Sequence, residues 1–390
     1  MAATSRLYDA LSQFLRQSQT PWQDARHLQT LCWMMVGMIA SGNVHLNGFG
    51  VHILARAQFA QSHQRRFRRW LANRRIPVAV AHHALIAQAL SSWGSQRLYL
   101  SLDTTVLWNC FCIVWVGVVF RGRTIPIAWR VVAQSSSTVR LWTVQRVLRQ
   151  AQRVLPQGCE VVLLADRGFA DGKLFNYLRG NLGWHFRIRI KRSFQFQHQG
   201  QWHKVSSIQL KPGEAYFCGP VAVGKTKPCP DLYLAVAQDE LSGEVWTIVS
   251  DEPTNLQTFA QYRLRFQVEE SFLDLKSNGF NLEASRLRDK FALTQLLGVI
   301  ALTMLFLVLQ GVNVVASGQR RQVDPHWNRG MSYLKLGWNW VRLAITRQWP
   351  IKLYRYLASC ADPEPAIASM RQQEDSFKRE FTVLTRFPAS

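Results

Sequence analysis

The chain has 390 residues, enough for two or three domains, and a hydrophobic content of 48% excludes an intrinsically disordered protein. Lys and Arg total 47 against 24 Asp and Glu, a formal net charge of +23 that favours a polyanionic partner, either nucleic acid or an anionic membrane surface. The seven Cys include no CxxC pair, which argues against a structural zinc site and for a reducing compartment.

Residues 1–95 are predicted to form a helical domain that binds DNA. Apolar residues recur at helical spacing from Leu28 to Ile39, and Pro77 opens a further helical stretch. Between these two stretches lies a basic cluster made of Arg65, Arg66, Arg68 and Arg69. Clustered arginines complement phosphates, so we expect this domain to contact DNA. The alternative is a helical bundle with a solvated cationic face.

Residues 96–192 are predicted to form the first part of an α/β catalytic core. The predicted strands are 98–103, Phe111–Phe120, 125–132, Glu160–Ala165 and 184–191, with helices at 138–155 and 173–182. The order is an antiparallel meander extended by parallel strands. This is the order of a ribonuclease-H-like mixed sheet flanked by helices.

The second half of the chain divides into three predicted segments. Residues 193–252 alternate apolar and polar residues between Gly and Pro turns, which predicts a β-rich insertion. Residues 253–322 are predicted to complete the core with a helix that begins at Thr254 or Asn255 and runs through Lys276. Residues 323–390 are predicted to be a basic, helical C-terminal region.

One segment, residues 291–319, carries no charge and is long enough to span a membrane. A helix buried on all sides in a large core has the same composition. Several polar residues interrupt the segment, and basic residues flank it on both sides, so we favour the core helix. The prediction is a protein without a membrane association.

Two aspartates follow apolar strands. Asp103 ends the first predicted strand and Asp166 follows the fourth. If these strands are adjacent and parallel, both carboxylates emerge at the same edge of the sheet. An unpaired buried charge is costly, so an aspartate at the end of an apolar strand is expected to have a specific role. The functional explanation is metal binding, and the alternative is that each aspartate caps the loop that follows.

A third carboxylate lies within a charged pattern on the helix predicted to end at Lys276. The four residues of this pattern are Tyr262, Arg265, Glu269 and Lys276. At about 100° per residue they would share one helix face roughly 60° wide. A solvated charged helix is the alternative, but Glu270 and Asp274 lie off this face.

The spacing Tyr-(2)-Arg-(3)-Glu-(6)-Lys resembles the signature of the insertion-sequence-four family of bacterial transposases, to which the Tn5-type enzyme belongs. Leu-Asp-Thr-Thr at 102–105 and Asp-Arg-Gly-Phe at 166–169 are similar to the first and second carboxylate motifs of that family. The resemblance runs from about residue 98 to 320. It implies a ribonuclease-H-like core with a β-insertion between the second Asp and the Glu, and a buried apolar helix after the Glu.

The resemblance also implies roles for single residues. Asp103, Asp166 and Glu269 would be the catalytic residues and would bind two divalent ions, Mg²⁺ or Mn²⁺. Tyr262, Arg265, Lys276 and Arg167 would contact DNA phosphates. Trp246, seven residues before Pro253, would stack on a flipped base, unless it is a core residue of its strand. Leu273 replaces a lysine that assists in the Tn5-type enzyme.

The resulting functional hypothesis is a transposase that cleaves DNA at the ends of an insertion sequence and transfers the strands to target DNA. The resemblance implies a homodimer on the terminal inverted repeats. We expect a cytoplasmic protein associated with the nucleoid. Three alternatives remain open: a metal-dependent nuclease on the same core that does not join strands, a catalytically inactive DNA-binding regulator, and a membrane protein that uses the segment 291–319.

Overall fold

The computed structural model describes residues 3–54, 57–277, 279–366 and 381–387. Its helices are α1 Ala3–Arg16, α2 Ala25–Ser41, α3 Ala60–Ala72, α4 Val78–Leu90, α5 Leu141–Gln152, α6 Gly172–Tyr177, α7 Leu256–Arg263, α8 Gln267–Lys276, α9 Lys290–Ala316 and α10 Tyr333–Thr346. Its strands are β1 Arg97–Leu107, β2 Phe111–Phe120, β3 Arg123–Ala133, β4 Glu160–Ala165, β5 His185–Arg189, β6 Gln195–His198, β7 Gln201–Lys204, β8 Glu214–Val223, β9 Cys229–Gln238, β10 Val245–Ser250 and β11 Thr382–Leu384.

The strands of the described residues form one mixed sheet in the order β3-β2-β1-β4-β5-β10-β9-β8-β6-β7, and β11 pairs with β8. Strands β1 to β3 are an antiparallel meander, while β1, β4 and β5 are parallel neighbours. This confirms the predicted ribonuclease-H-like α/β architecture.

The predicted β-rich insertion extends the core sheet. Its last strand, β10, pairs antiparallel with β5, so the backbone groups on the outer edge of β5 are satisfied there. Strands β9 and β8 continue from β10 in the same sheet. The insertion therefore carries the sheet outward from β5 without a break in hydrogen bonding.

The two faces of the sheet are covered by different helices. Residues paired across antiparallel strands point to the same face, so Asp103, Trp115 and Trp129 share one face. Phe272 of α8 packs edge-on against Trp115, with ring centroids 6.0 Å apart, which puts α8 over this face. Helix α5 packs against β2 and β3 on the opposite face.

Helix α9 is the centre of the helical layer. It is long and apolar enough to cross a membrane, but 94% of its most apolar window lies inside the fold. Helices α2, α3, α4 and α10 surround it. A Cβ atom at Gly337 of α10 would lie 1.8 Å from the carbonyl oxygen of Leu307, so the α9–α10 crossing is closer than any larger residue allows. This burial is what a core helix requires, and the absence of a membrane association stays a prediction.

The structure corrects two predicted elements. Strand β1 continues four residues beyond Asp103, because it keeps pairing with β2 after its parallel partner β4 has ended. The helix predicted through Lys276 is divided by a 3₁₀ turn at Leu264–Phe266, between α7 and α8.

The domain boundaries stay predictions. The helices of residues 1–95 share one apolar core with α9. In the predicted C-terminal region, 323–390, the described residues contain α10 and β11, and residues 347–366 form neither helix nor strand. Residues 367–380 and 388–390 of that region lie outside the described residues.

Candidate active site at the carboxyl edge of the sheet

Asp103 and Asp166 lie side by side. In the parallel register of β1 and β4, Leu102 pairs with Ala165, and each aspartate is the next residue of its chain segment. Asp103 was predicted to end its strand, but it lies within β1, opposite Trp115 of β2. The two carboxylates therefore meet where β4 ends, at the carboxyl edge of the parallel strands, as the sequence predicts.

The turn after β4 fixes Asp166. Its Oδ1 accepts a hydrogen bond of 2.8 Å from the Gly168 amide and caps the 3₁₀ turn Arg167–Phe169. A Cβ atom at position 168 would lie 3.0 Å from that oxygen, so glycine leaves room for the carboxylate. No donor within the described ranges binds the other oxygen, Oδ2. Arg167, the next residue in the chain, is exposed.

Helix α8 carries Glu269 in its first turn and is anchored to β3. The Thr124 amide donates a hydrogen bond of 2.8 Å to Ser271 Oγ, and Arg123 Nε donates one of 2.7 Å to Asp274 Oδ2. These contacts hold the side of α8 that faces the sheet. Glu269 stays 54% exposed beside the carboxyl edge.

Arg265, in the 3₁₀ turn between α7 and α8, joins two of the carboxylates. Its Nη1 lies 3.1 Å from Asp103 Oδ2, and its Nη2 lies 2.6 Å from Glu269 Oε1. The side chain is only 8% exposed, so the guanidinium faces the carboxylates rather than solvent. One guanidinium thus brings together Asp103 and Glu269, which are 166 positions apart in the chain.

The carboxyl edge has more negative than positive charge. Burial raises the pKa of Asp103 to about 6, although Arg265 and the Thr104 amide favour the carboxylate, and Asp166 and Glu269 add repulsion. Three carboxylates face one guanidinium. Hard divalent cations prefer oxygen donors of this kind, so the residues present fit Mg²⁺ or Mn²⁺. The arrangement can hold cations next to a phosphodiester.

The predicted common helix face of Tyr262, Arg265, Glu269 and Lys276 does not form as a single stripe. A 3₁₀ turn advances about 120° per residue instead of 100°, so the interruption at Leu264–Phe266 changes the phase between α7 and α8. Tyr262 is buried, and burial raises its pKa to about 12. Lys276 Nζ donates a hydrogen bond of 3.0 Å to the Val106 carbonyl in β1.

Trp246 lies inside the protein. It is 4% exposed and packs against Tyr262 and Phe266, with ring centroids 5.5 and 5.7 Å away. Its indole nitrogen donates to Glu244 Oε2 at 2.9 Å. In this conformation a base could reach Trp246 only if the aromatic cluster opened, so the burial favours the interpretation of Trp246 as a core residue of its strand.

The arginine cluster of the N-terminal helices lies on α3. Arg65, Arg68 and Arg69 are exposed, whereas Arg66 is half-buried and its Nε donates a hydrogen bond of 3.0 Å to Thr30 Oγ1. Three of the four side chains are therefore available to phosphates. Their contact with DNA stays a prediction.

A second group of possible metal ligands lies at the amino edge of the parallel strands. Ligand atoms of Glu160, His185 and Glu252 lie within 4.8 Å of one another. Arg97 pairs with both glutamates, and Arg187 lies 2.7 Å from Glu252. None of these residues stands out in the sequence. Both glutamates of this group already pair with arginines of the chain, whereas Asp166 at the carboxyl edge has no such partner among the described residues.

Comparison with known proteins supports the interpretation of the carboxyl edge. Residues 116–306, just under half of the chain, match the family model described as the transposase DDE domain. The matched stretch contains Asp166 and Glu269 and begins after Asp103. A search of curated proteins finds no match. The family match and the ribonuclease-H-like sheet together support a DDE transposase.

Proposed function

We propose that this protein cleaves DNA at the ends of an insertion sequence and joins the freed strands to target DNA. One observation carries the proposal: Arg265 gathers Asp103 and Glu269 at the sheet edge where Asp166 also ends its strand. These residues are far apart in the chain and meet at one point with a surplus of negative charge.

The three carboxylates Asp103, Asp166 and Glu269 would hold two divalent ions, Mg²⁺ or Mn²⁺. Bound there, the ions would activate the attacking oxygen and stabilise the leaving oxygen of a phosphodiester. Arg265 orients Asp103 and Glu269 and places a fixed positive charge where the phosphoryl group gains negative charge. Because this guanidinium is buried, it needs no reorganisation during the reaction.

Two further cations, neither of them paired with these carboxylates in the described part of the chain, would position the DNA backbone. Lys276 holds its ammonium group at the Val106 carbonyl, three residues beyond Asp103 in β1. Arg167 directly follows Asp166 and is exposed. Phosphates on either side of the cleaved bond could bind these two groups, which would align the strand over the three acids.

The substrate and partners follow from the charge and the reaction. The net charge of +23 and the exposed arginines of α3 suit the terminal inverted repeats and target DNA. Two ends must be cut together, so we propose a homodimer on DNA. Helix α9 lies inside the fold, which agrees with a protein of the cytoplasm and nucleoid without a membrane association.

The test is a cleavage assay on a plasmid that carries the DNA flanking the gene, with Mg²⁺ or Mn²⁺. Asp103→Ala, Asp166→Ala and Glu269→Ala should each lower cleavage by about 10³-fold, since the bound ions contribute several kcal/mol. DNA affinity should persist. Glu270→Ala is the matched control, because Glu270 adjoins Glu269 but pairs with Arg123 at 3.3 Å.

Other results of the cleavage assay would indicate other functions. Cleavage without joined products would indicate a nuclease on the same core. Sequence-specific binding with no cleavage by the wild-type protein would indicate a regulator. Undiminished cleavage by all three alanine variants would refute the assignment of the carboxylates.

A further inference from the structure

An exposed tryptophan lies between two arginines at the start of α5. Trp142 is 45% exposed. The guanidinium carbons of Arg130 and Arg146 lie 5.7 and 4.8 Å from its ring centroid. Cation–π contacts at these distances orient the indole, and nearly half of its surface stays open to solvent.

In the part of the chain that the structure describes, the positive charge around Trp142 has no acidic partner. Between Asp103 and Glu160 the chain contains no Asp or Glu. Within the described ranges, Arg130, Arg140, Arg146 and Arg149 form no ion pair. Their unbalanced charge complements a polyanion, whereas charged groups that serve only stability or solubility are usually interspersed with the opposite sign.

This Arg–Trp–Arg surface, made of Arg130, Trp142 and Arg146, lies at the same end of the sheet as the candidate active site, on the face covered by α5. Thr104, which directly follows Asp103, pairs with Val114, and Val114 pairs with Arg130. Arg130 therefore lies two strands from Thr104, about 10 Å across the sheet, and both side chains point to the face opposite that of Asp103. Thr104 Oγ1 also donates a hydrogen bond of 3.0 Å to the Ser137 carbonyl, in the loop that leads into α5.

We propose that the Arg–Trp–Arg surface is a stacking platform for an unpaired nucleotide of the DNA strand beside the cleavage site. A base would lie on the open part of the Trp142 ring, and the guanidinium groups of Arg130 and Arg146 would bind the adjacent phosphates. Every base has an aromatic face, so recognition would be tolerant of sequence and would favour single strands over intact duplex. This inference rests on the proposed function, because only a DNA reaction brings such a strand to this edge.

The experiment measures fluorescence anisotropy of a dye-labelled single-stranded oligonucleotide and of the blunt duplex of the same sequence. EDTA is present, so no cleavage takes place. Trp142→Ala should weaken single-strand binding about 10-fold, and Trp142→Phe should stay close to wild type, because stacking contributes about 1–3 kcal/mol per base. Arg146→Ala should lower the salt dependence of single-strand binding by about 0.7 in the log–log slope, the value for one lost phosphate contact.

Trp327→Ala is the matched control. Trp327 is 84% exposed and lies 4.4 Å from the guanidinium carbon of Arg321, so it has the same local chemistry. In the same loop, Arg329 forms an ion pair with Asp362 and packs over the ring of Tyr333. Tyr333 in turn contacts Arg121 in the β2–β3 turn. That turn is at the opposite end of these strands from the loop that enters α5. Trp327→Ala should bind the oligonucleotide like wild type.

Three results would overturn the inference: wild-type affinity in Trp142→Ala, an equal loss in Trp327→Ala, or a changed sedimentation coefficient with unchanged oligonucleotide affinity. The last would make the surface a contact between copies of the chain. The binding assay needs no catalysis. If the carboxylate variants still cleaved DNA, the proposed function would fail while a loss of binding in Trp142→Ala would still stand.

Discussion

The sheet has an acidic cluster at each edge, and the two clusters differ in their counter-charge. At the carboxyl edge, Asp103, Asp166 and Glu269 face one guanidinium, that of Arg265. Burial and mutual repulsion raise the pKa of Asp103 there to about 6. The carboxyl edge therefore keeps a surplus of negative charge that an external cation could neutralise.

The amino edge supplies more of its own counter-charge, since its acids face two guanidinium groups and an imidazole. Arg187 and Arg97 pair with Glu252, and His185 Nδ1 lies 2.8 Å from Asp251. Burial alone would raise the pKa of Glu252, but the hydrogen bond from Arg187 and the nearby positive charges outweigh it and hold that pKa below its ordinary value. Glu252 is therefore stabilised in its charged form by residues of the chain itself.

The comparison shows that a cluster of acidic residues indicates a ligand site only when the cations that pair with it are considered as well. Both clusters could supply carboxylate ligands, and the amino edge even adds an imidazole. A cluster whose charges are balanced by its own residues is expected to stabilise the fold. A cluster with unbalanced charge lowers stability, and such sites are retained where a ligand or a reaction uses the charge.

The largest expected effect on stability is at the amino edge. Arg187 is buried, and Arg187→Met removes the main partner of Glu252 and a neighbour of Asp251. Removing one member of a buried ion pair leaves an uncompensated charge, so we expect a loss of about 3 kcal/mol in the free energy of unfolding. Urea unfolding followed by circular dichroism measures it.

Arg189→Met is the control on the same strand. Arg189 pairs with Glu244 at 2.7 Å, but Glu244 is half exposed, so the loss should stay below about 1 kcal/mol. At a temperature where both variants are folded, their cleavage rates should match wild type. An Arg187→Met variant as stable as wild type but unable to cleave DNA would reverse the roles of the two edges.

Much of the fold could be predicted from the sequence, because its signals are local. The apolar run Glu160–Ala165 and the stretch Phe111–Phe120, rich in Val, Ile and Trp, predict strands at the observed bounds. The apolar helix was expected as a core element, and α9 is buried as a core helix would be. The insertion was predicted to be β-rich, but its continuity with β5 depends on hydrogen bonds between distant strands, which no local pattern specifies.

The site was predicted less completely, because its geometry depends on turns and counter-ions. The common helix face assumed an unbroken α-helix, and the 3₁₀ turn at Leu264–Phe266 instead directs Arg265 toward Asp103. For Trp246 the sequence left two interpretations open, and the burial of its side chain favours the core residue over the stacking platform. The Arg–Trp–Arg surface was missed, although Arg146 follows Trp142 by one helical turn in a stretch without acids.

A smaller effect of opposite sign is expected at the carboxyl edge. Asp103→Asn should stabilise the metal-free protein by about 2–3 kcal/mol at pH 7, because a carboxyl with a pKa near 6 in the folded protein and near 3.8 unfolded costs stability once ionised. Below about pH 4 the carboxyl is protonated in both states, so wild type and variant should be equally stable. The difference should grow between pH 4 and 6 and stay constant above it.

Thermal unfolding in EDTA from pH 4 to 8 measures this difference, and the variant should also lose cleavage activity. Glu252→Gln serves as a control, since Arg187 and the nearby positive charges hold the pKa of Glu252 below its ordinary value, so its ionised form stabilises the fold. This control should lower stability. If Asp103→Asn were less stable than wild type at pH 7, the carboxyl edge would be a structural ion-pair site like the amino edge.

The smallest expected effect is the change in thermal stability on binding Mg²⁺, which should depend on the carboxyl edge and not on the amino edge. With Mg²⁺ at about five times its dissociation constant, binding to the folded state should stabilise the wild-type protein by about 1 kcal/mol, and EDTA should remove the gain. Glu160→Gln at the amino edge should keep this shift in melting temperature, because Arg97 and Arg187 already neutralise its neighbour Glu252. Asp166→Asn should abolish it. If the shift instead disappeared in Glu160→Gln and persisted in Asp166→Asn, the ion would bind at the amino edge, and the charge surplus at the carboxyl edge would need another explanation.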